Sequence, residues 1–391
     1  MEDKTIARLD PARCTGCFAC MNVCPTDAIV KIDDSEGFFC PDINMDKCIG
    51  CGKCMDACPV LTPQQLIESM LQEVYAAWSL DKEIRYQSTS GGVFSELARE
   101  WLMQKGMVCG AQYGTKHHIE HVIIETEEGL ERIRQSKYAQ SDIGLCYRRI
   151  RDLINQGIKI LFCGTPCQCA GLMSFLGGQP DGLFIVNFVC RGANSPGAYN
   201  AFLKWLENRY EAEISRVWFK NKTHGWNRFS TRVEFENGQV YSEDRYHDVF
   251  IRGYIEQNLY MRECCHNCEF RNLRMTGDIT LADFWGVKLE DKSKDIDRGT
   301  SLVIVNTEKG RELFDSIKPR LFWERKAIED AFPGNVCITD SPRPHPNRRY
   351  FLTNLNKKAF DDLCAECFTE PSSAKKMLRI LKRKIKGIVK H

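Results

Sequence analysis

The sequence has no apolar run approaching the roughly 18 residues that cross a bilayer as a helix. Its first ten residues, MEDKTIARLD, lack the apolar stretch of a secretory leader. These two absences predict a cytoplasmic chain. Outside Ala374–His391 there is no basic excess. The whole chain has a formal charge of +2, and that terminal stretch carries eight Lys or Arg and no acid, so the remainder stands at about −6. Binding of nucleic acid by the body of the protein is therefore not expected. No internal repeat is visible other than one cysteine pattern that occurs twice. Cysteine is what the sequence has in excess, with 21 residues. An odd number in a reducing compartment argues against a disulfide framework and leaves metal ligation.

Cys14, Cys17, Cys20 and Cys24, followed by Pro25, spell C-x2-C-x2-C-x3-C-P, and Cys48, Cys51, Cys54, Cys58 and Pro59 spell it again. In the bacterial ferredoxin pattern three closely spaced thiolates hold one 4Fe-4S cluster and the fourth cysteine crosses to the other. The assignment is Cys14, Cys17, Cys20 and Cys58 for one cluster, and Cys48, Cys51, Cys54 and Cys24 for the second. Structural zinc favours paired C-x2-4-C knuckles and fits the spacing less well. Cys40, between the runs, reads as a packed thiol.

At 391 residues the chain exceeds one ordinary domain. Residues 1–62 form the ferredoxin unit, with strand-like stretches at Ala28–Ile32 and Phe38–Ile43. A linker helix is expected over 63–77, drawn from a helical pattern at Gln64–Trp78. A larger unit follows over 78–352, in which strands alternate with helices, so the fold class is α+β: a ferredoxin-like two-cluster domain ahead of a mixed α/β domain. Within that unit, strands are expected at His121–Glu125, Lys159–Phe162 and Leu183–Val189, at Arg216–Lys220, Thr231–Phe235 and Gln239–Ser242 around an Asn237-Gly238 turn, and at Asp278–Asp283 and Ser301–Asn306. Residues 353–373 read as a connector, in which Cys364-x2-Cys367 is a weak metal signal. At 374–391, Leu378, Leu381, Ile385 and Ile388 share one helical face among basic residues. This predicts an amphipathic helix suited to peripheral contact with an anionic membrane surface, a solvated terminal helix being the other reading.

Four segments of the larger unit stand out. Ser90-Gly91-Gly92 precedes a helix and offers free backbone NH groups at its positive end, as an anion site does; an N-cap with a glycine turn is the plainer reading. Ser136-Lys-Tyr-Ala-Gln-Ser141 carries a cation, a phenol and an amide. Cys163-Gly-Thr-Pro-Cys167 is a sharp turn between a buried strand and a helix, the position at which α/β proteins place ligands. Cys190-Arg-Gly-Ala-Asn-Ser-Pro196 ends another apolar strand. Cys264-Cys-His-Asn-Cys268 follows, ahead of Asp278-Ile-Thr-Leu-Ala-Asp-Phe-Trp-Gly286. Cys167, Cys190, Cys265 and Cys268 supply the four thiolates one further centre needs, although spacing alone does not group them.

Taken together, SGG, SKYAQS, CGTPCQ, CRGANSP, ECCHNCEFRN and DITLADFWG resemble the beta subunit of deazaflavin (coenzyme F-420) hydrogenases and dehydrogenases, over about residues 78–350. The resemblance implies a mixed α/β domain that binds FAD beside one 4Fe-4S cluster. By position, that third cluster would use Cys167, Cys190, Cys265 and Cys268. The flavin would lie among Ser90, Gly91, Gly92, Lys137, Gln140, Ser141, Gly164, Thr165 and Gln168. This chain departs from the family in having Arg191 where a histidine is common and Cys264 directly before Cys265, which leaves the ligand choice open by one residue. Cys163 and Cys169 read as buried bystanders.

The expected function is that of an iron-sulfur flavoprotein oxidoreductase. It would pass electrons between a hydride donor or acceptor at FAD, such as a deazaflavin or an organic substrate, and the 4Fe-4S clusters and ferredoxin. The second reading is an electron-transfer subunit that feeds a partner enzyme without substrate chemistry of its own. Lys137, stabilising negative charge on reduced flavin, and Arg191, meeting a partner's phosphates or carboxylates, are the catalytic assignments. The redox partner would be ferredoxin, a deazaflavin or another enzyme, and the sequence names no substrate.

Overall fold

The computed structural model describes residues 4–63, 71–271, 277–294 and 296–369. The basic helix expected at 374–391 therefore lies outside the described residues, as do residues 64–70 of the linker.

Ile29–Asp33 (β1) and Phe39–Ile43 (β2) pair antiparallel, Ile29 opposite Ile43, and form the hairpin between the two cysteine runs. The helix expected to run on to Trp78 gives way to a strand, Glu73–Ser79 (β3). Its residues from Val74 to Ser79 are all buried, because β3 lies inside a sheet with both faces covered. Such strands lose the alternation that marks a half-exposed one, and the alanine pair Ala76-Ala77 mimics a helix.

The remaining strands are Met107–Tyr113 (β4), Ile119–Ile124 (β5), Ile160–Gly164 (β6), Leu183–Phe188 (β7), Ile214–Asn221 (β8), Ser230–Phe235 (β9), Val240–Asp244 (β10), Ile279–Asp283 (β11), Ser301–Val305 (β12) and Leu321–Lys326 (β13). Eight of them form one sheet in the order β13-β3-β12-β11-β7-β6-β4-β5. β4, β6, β7 and β11 run parallel, and β12 is antiparallel to both β11 and β3. β3 therefore points the same way as the parallel set, and five strands end on one edge. β8, β9 and β10 make a separate antiparallel sheet, with Asn237-Gly238 turning between β9 and β10 as expected.

One face of the large sheet is covered by the Val93–Met103 and Glu308–Ile317 helices through Leu97, Trp101, Leu313 and Phe314. The other is covered by the Cys146–Asn155 and Pro166–Leu176 helices, joined in the same core by Cys17, Phe18 and Ala19 of the ferredoxin unit. That unit is embedded in the molecule. The Arg348 guanidinium donates to both Glu36 carboxylate oxygens at 3.1 and 2.7 Å. Arg148 donates to the Asn22, Met21 and Cys24 carbonyls at 2.6, 3.1 and 2.7 Å, holding the end of the first cysteine run.

Residues 353–373 are more than a connector. Phe360–Cys367 is a helix whose Phe360, Leu363, Cys364 and Cys367, spaced i, i+3, i+4 and i+7, are all buried in the core around the small sheet. Cys364 and Cys367 pack as apolar side chains there.

Asp248, fully buried, accepts from Ile251 N at 2.5 Å and from the Tyr241 hydroxyl at 2.8 Å. Burial pushes its carboxyl from 3.8 up to about 7, against the lowering effect of those two donors. Its contribution to stability is thus complete below the unfolded pKa and is lost as pH rises through the folded one. The advantage in Tm of the parent over Asp248→Asn is expected to shrink between pH 5 and 8 in thermal unfolding; a constant difference would contradict this.

Candidate functional site

The carboxyl edge of the parallel strands opens on a cavity of about 1710 Å³, well above the roughly 300–1,000 Å³ of an ordinary small-ligand pocket. Chain direction explains its contents. β6 ends into Gly164, Thr165 and Cys167, β7 into Cys190, and β11 into Asp283 and Trp285, all of which line it. This is the edge at which open α/β sheets place ligands.

Thr165 caps the Pro166–Leu176 helix in a capping box: its hydroxyl accepts from Gln168 N at 3.4 Å, and Gln168 Oε1 accepts from Thr165 N at 3.0 Å. Gln168 Nε2 then donates to Ser141 Oγ at 3.0 Å. These side chains shape the wall. The Thr89 hydroxyl bonds both Ser136 N, at 2.8 Å, and Ser136 Oγ, at 3.0 Å, so the SGG and SKYAQS segments lie side by side. Ser90 Oγ donates to Thr300 O at 2.7 Å and Gly91 N to Ser301 Oγ at 2.9 Å. Gly92, at φ +91°, starts the Val93–Met103 helix with no side-chain cap, and Gly92 to Ser95 face the cavity. Among the described residues no side chain caps the first NH groups of that helix, the arrangement in which a helix start can take an anion.

Of the residues assigned to flavin, all but Gly91 line the cavity; Gly91 lies behind the wall, where a Cβ would stand 2.4 Å from Ala77 O. Gln140 lines it too, but its amide is spent on the ferredoxin unit: Oε1 accepts from Phe39 N at 3.1 Å and Nε2 donates to Gly16 O and Phe39 O at 3.3 Å. Lys137 is held by the carbonyls of Arg132, Arg134 and Gln135 at 3.2, 2.6 and 3.3 Å, and burial lowers its ammonium to about 7. Arg191 Nη2 donates to Ile255 O at 2.8 Å and Asn258 Oδ1 at 2.6 Å, so that end of it serves the fold rather than a partner's anions.

The cysteines of the larger unit gather at the same cavity. Cys167, Cys190, Cys264, Cys265 and Cys268 all line it. Burial raises the Cys167 thiol well above its ordinary value, and the charges of Cys190, Cys268 and Cys265 raise it further. Cys265 and Cys268 do the same to Cys190, which burial pushes up to about 12. Cys265 Sγ accepts from Ala193 N at 3.4 Å, inside the loop that carries Cys190. Cys163 and Cys169 are pushed up by burial first of all. Among the described residues no three His, Cys, Asp or Glu side chains close on one point as a single ion requires; the five thiols line the cavity wall.

In the ferredoxin unit, burial raises Cys20 well above its ordinary value, and the charges of Cys17, Cys14 and Cys58, together with that of Cys54 from the second assigned set, add to this. Cys24, Cys48, Cys51 and Cys54 line a small pocket of their own. Cys40 is the packed thiol expected, donating to Asp34 Oδ2 at 3.4 Å.

Family models decide the kinship. The model for the beta-subunit N-terminal region of coenzyme F420 hydrogenase/dehydrogenase matches residues 74–144, and that for its C terminus matches residues 157–331. The chain belongs to the coenzyme F420 hydrogenase/dehydrogenase beta-subunit family. Residues 6–62 match a 4Fe-4S dicluster domain, so this member is an iron-sulfur electron-transfer protein of an oxidoreductase family. No curated protein matches the chain. Among solved structures, a chain of the F420-reducing [NiFe] hydrogenase complex from Methanosarcina barkeri is 18% identical to it, covering 78% of this chain and 94% of that one, with a TM-score of 0.46. No helix among the described residues is long and apolar enough to cross a membrane.

Several cavity residues were not legible in the sequence. Lys220 sits at a bulge in β8 with φ +53°, which turns its side chain to a buried ion pair with Asp283. Burial would lower the Lys220 pKa, but Asp283 holds it above its ordinary value. Lys222, two residues on, braces the wall rather than lining the cavity: it donates to Arg85 O, Ser90 O and Arg298 O at 2.6, 2.5 and 3.0 Å. His121, pushed down to about 4 by burial, is neutral, with Nε2 at 3.3 Å from Cys163 O and Nδ1 without a partner among the described residues. A histidine directly before the apolar run Val122-Ile123-Ile124 was the available signal for the last.

Gly16, at φ +66° within the first cysteine run, is where the ferredoxin loop meets Gln140 and Arg262. A Cβ there would lie 2.2 Å from Gln140 Nε2 and 3.1 Å from Arg262 Nη1. Gly16→Ala is expected to cost at least about 1–2 kcal/mol from backbone strain alone, read as a lowered Tm of the iron-loaded protein; an unchanged Tm would show that the loop seats without that approach.

Proposed function

We propose that this chain is an FAD-containing iron-sulfur oxidoreductase that passes electrons between a hydride donor or acceptor at the flavin and its 4Fe-4S clusters, with ferredoxin or another redox enzyme as partner. The observation that carries the reading is that one cavity is lined both by the Cys167, Cys190, Cys265 and Cys268 thiols and by the segments Gly92–Ser95, Ser136–Ser141 and Gly164–Gln168. Its residues fit both groups. The uncapped helix start at Gly92 supplies NH donors for a phosphate. Among the described residues, His121 Nδ1, Asn194 Oδ1, Arg191 Nε and Arg271 Nε are buried atoms without a partner, and all four residues line the cavity. The thiols match the preference of iron-sulfur clusters for cysteine ligands.

FAD, when bound, supplies exchange between two-electron hydride transfer and single electrons. The chain does the rest. Neutral His121 offers an acceptor nitrogen without bringing charge into the cavity. Lys137, with its ammonium at about 7, is poised to hold or release a proton near neutrality. Lys220 and Asp283 line the cavity as a paired charge.

The test is anaerobic purification, counting of flavin and iron, and then titration of the flavin absorbance with reduced deazaflavin, NADH, NADPH and reduced ferredoxin. One flavin per chain, bleached by at least one of these donors, supports the reading. Absence of bound flavin after reconstitution with FAD would sink it.

A further inference from the structure

Arg262 is only 4% exposed, and among the described residues it makes no ion pair with a carboxylate. Its donors go to neutral groups: Nε to Cys14 O at 2.7 Å, Nη1 to Phe39 O and Gln140 Oε1, both at 3.1 Å, and Nη2 to Cys40 Sγ at 3.3 Å. A guanidinium cannot shed its proton, and a buried charge without a counterion costs several kcal/mol. The fold therefore calls for an anion here.

Position says which. Arg262 grips the carbonyl of Cys14, in the first ferredoxin set, while its own carbonyl accepts from Cys265 N at 3.0 Å. The Pro11–Arg13 and Glu263–Asn267 turns touch here, with Arg13 paired to Glu269 at 2.9 Å. Among the described residues, Arg262 makes no hydrogen bond to the loops of Cys48, Cys51 or Cys54.

We infer that Arg262 is a positioning residue whose buried charge is balanced by the two cysteine-ligated clusters it stands between, the Cys14 set and the Cys265 set, and that it favours their reduced state. The inference rests on the third cluster of the proposed function. Reduction adds one electron to a cluster, and a fixed cation beside it offsets that charge with no proton taken up.

The experiment is a redox titration of the iron-loaded full chain with dithionite, followed by EPR, comparing the parent with Arg262→Gln and Arg262→Lys. Arg262→Gln is expected to lower the reduced-to-oxidised ratio of two clusters at least tenfold at fixed potential, which is about 59 mV for a one-electron couple. The cluster of Cys24, Cys48, Cys51 and Cys54 is expected to keep its potential, and Arg262→Lys, which retains the charge, to stay close to the parent. Full iron with unshifted potentials in Arg262→Gln would overturn the inference, as would an equal shift in Arg262→Lys, which would mark a purely structural role. Should Arg262→Gln fail to hold iron, Gln140→Glu carries the test by setting a carboxylate against the guanidinium with Arg262 in place: the same downward shift supports the inference and unchanged potentials overturn it. Iron near eight atoms per chain in the parent itself, at four per cluster, would instead refute the third cluster.

Discussion

Cys265→Ser is expected to lower the iron of the anaerobically reconstituted chain from about twelve atoms to about eight, whereas Cys264→Ser keeps about twelve. The two neighbours differ in where they face. Cys265 Sγ accepts from Ala193 N in the loop that carries Cys190, and its charge acts on both Cys167 and Cys190. Cys264 is tied to Cys265 by a sulfur hydrogen bond and also feels the charge of Cys167, so the contact of Cys265 with Ala193 is what separates the two. Iron and acid-labile sulfide counts, with the EPR signal of the reduced protein, separate the variants. The loss is expected to fall on one cluster only, because the ferredoxin sets use other cysteines. The reverse pattern would move the ligand to Cys264, and no loss in either variant would remove the third cluster.

Lys222→Met is expected to weaken FAD binding about ten- to hundredfold with iron content unchanged, measured by flavin fluorescence at equilibrium; that range corresponds to about 1.4–2.7 kcal/mol. The ammonium has three protons and meets three carbonyls, one each from the Lys82–Gln87 helix, the SGG turn and the loop before β12. Methionine fills similar space and donates nothing, so buried carbonyls lose their partners at about 1–3 kcal/mol each. Part of that cost is relieved by the SGG turn moving, and the turn carries the uncapped helix start. Gly299 belongs to the same arrangement. At φ +98°, a Cβ on it would stand 2.6 Å from Ser90 O, so Gly299→Ala is expected to repeat the defect. Unaltered flavin affinity in both variants would show that the turn does not hold the cofactor.

Legibility followed the range of the interactions. The twin cysteine runs were readable because their ligands lie close in sequence and their spacing reflects cluster geometry, and the sharp turn of Cys163 to Cys167 was readable for the same reason, being local. Strand β3 was misread because burial on both faces erased its alternation. The Phe360–Cys367 helix was overlooked although its four buried residues keep helical spacing, because two of them are cysteines and drew a metal reading. Lys222 and Arg262 gave no local signal: each is one basic residue whose partners lie tens to hundreds of positions away.

By itself, then, the sequence determined the dicluster unit, the family and the segments that line the cavity, since each of these is written in short strings of residues with fixed spacing. The tertiary structure decided what those strings do together. It ended five strands on one edge, brought Cys167, Cys190, Cys265 and Cys268 to one space, spent Gln140 on holding the ferredoxin loop, and buried Arg262 between two cysteine sets. The gathering of those thiols at one cavity, and the burial of Arg262 beside two cysteine segments, depend on chain direction and packing across the sheet, and no spacing along the chain encodes that.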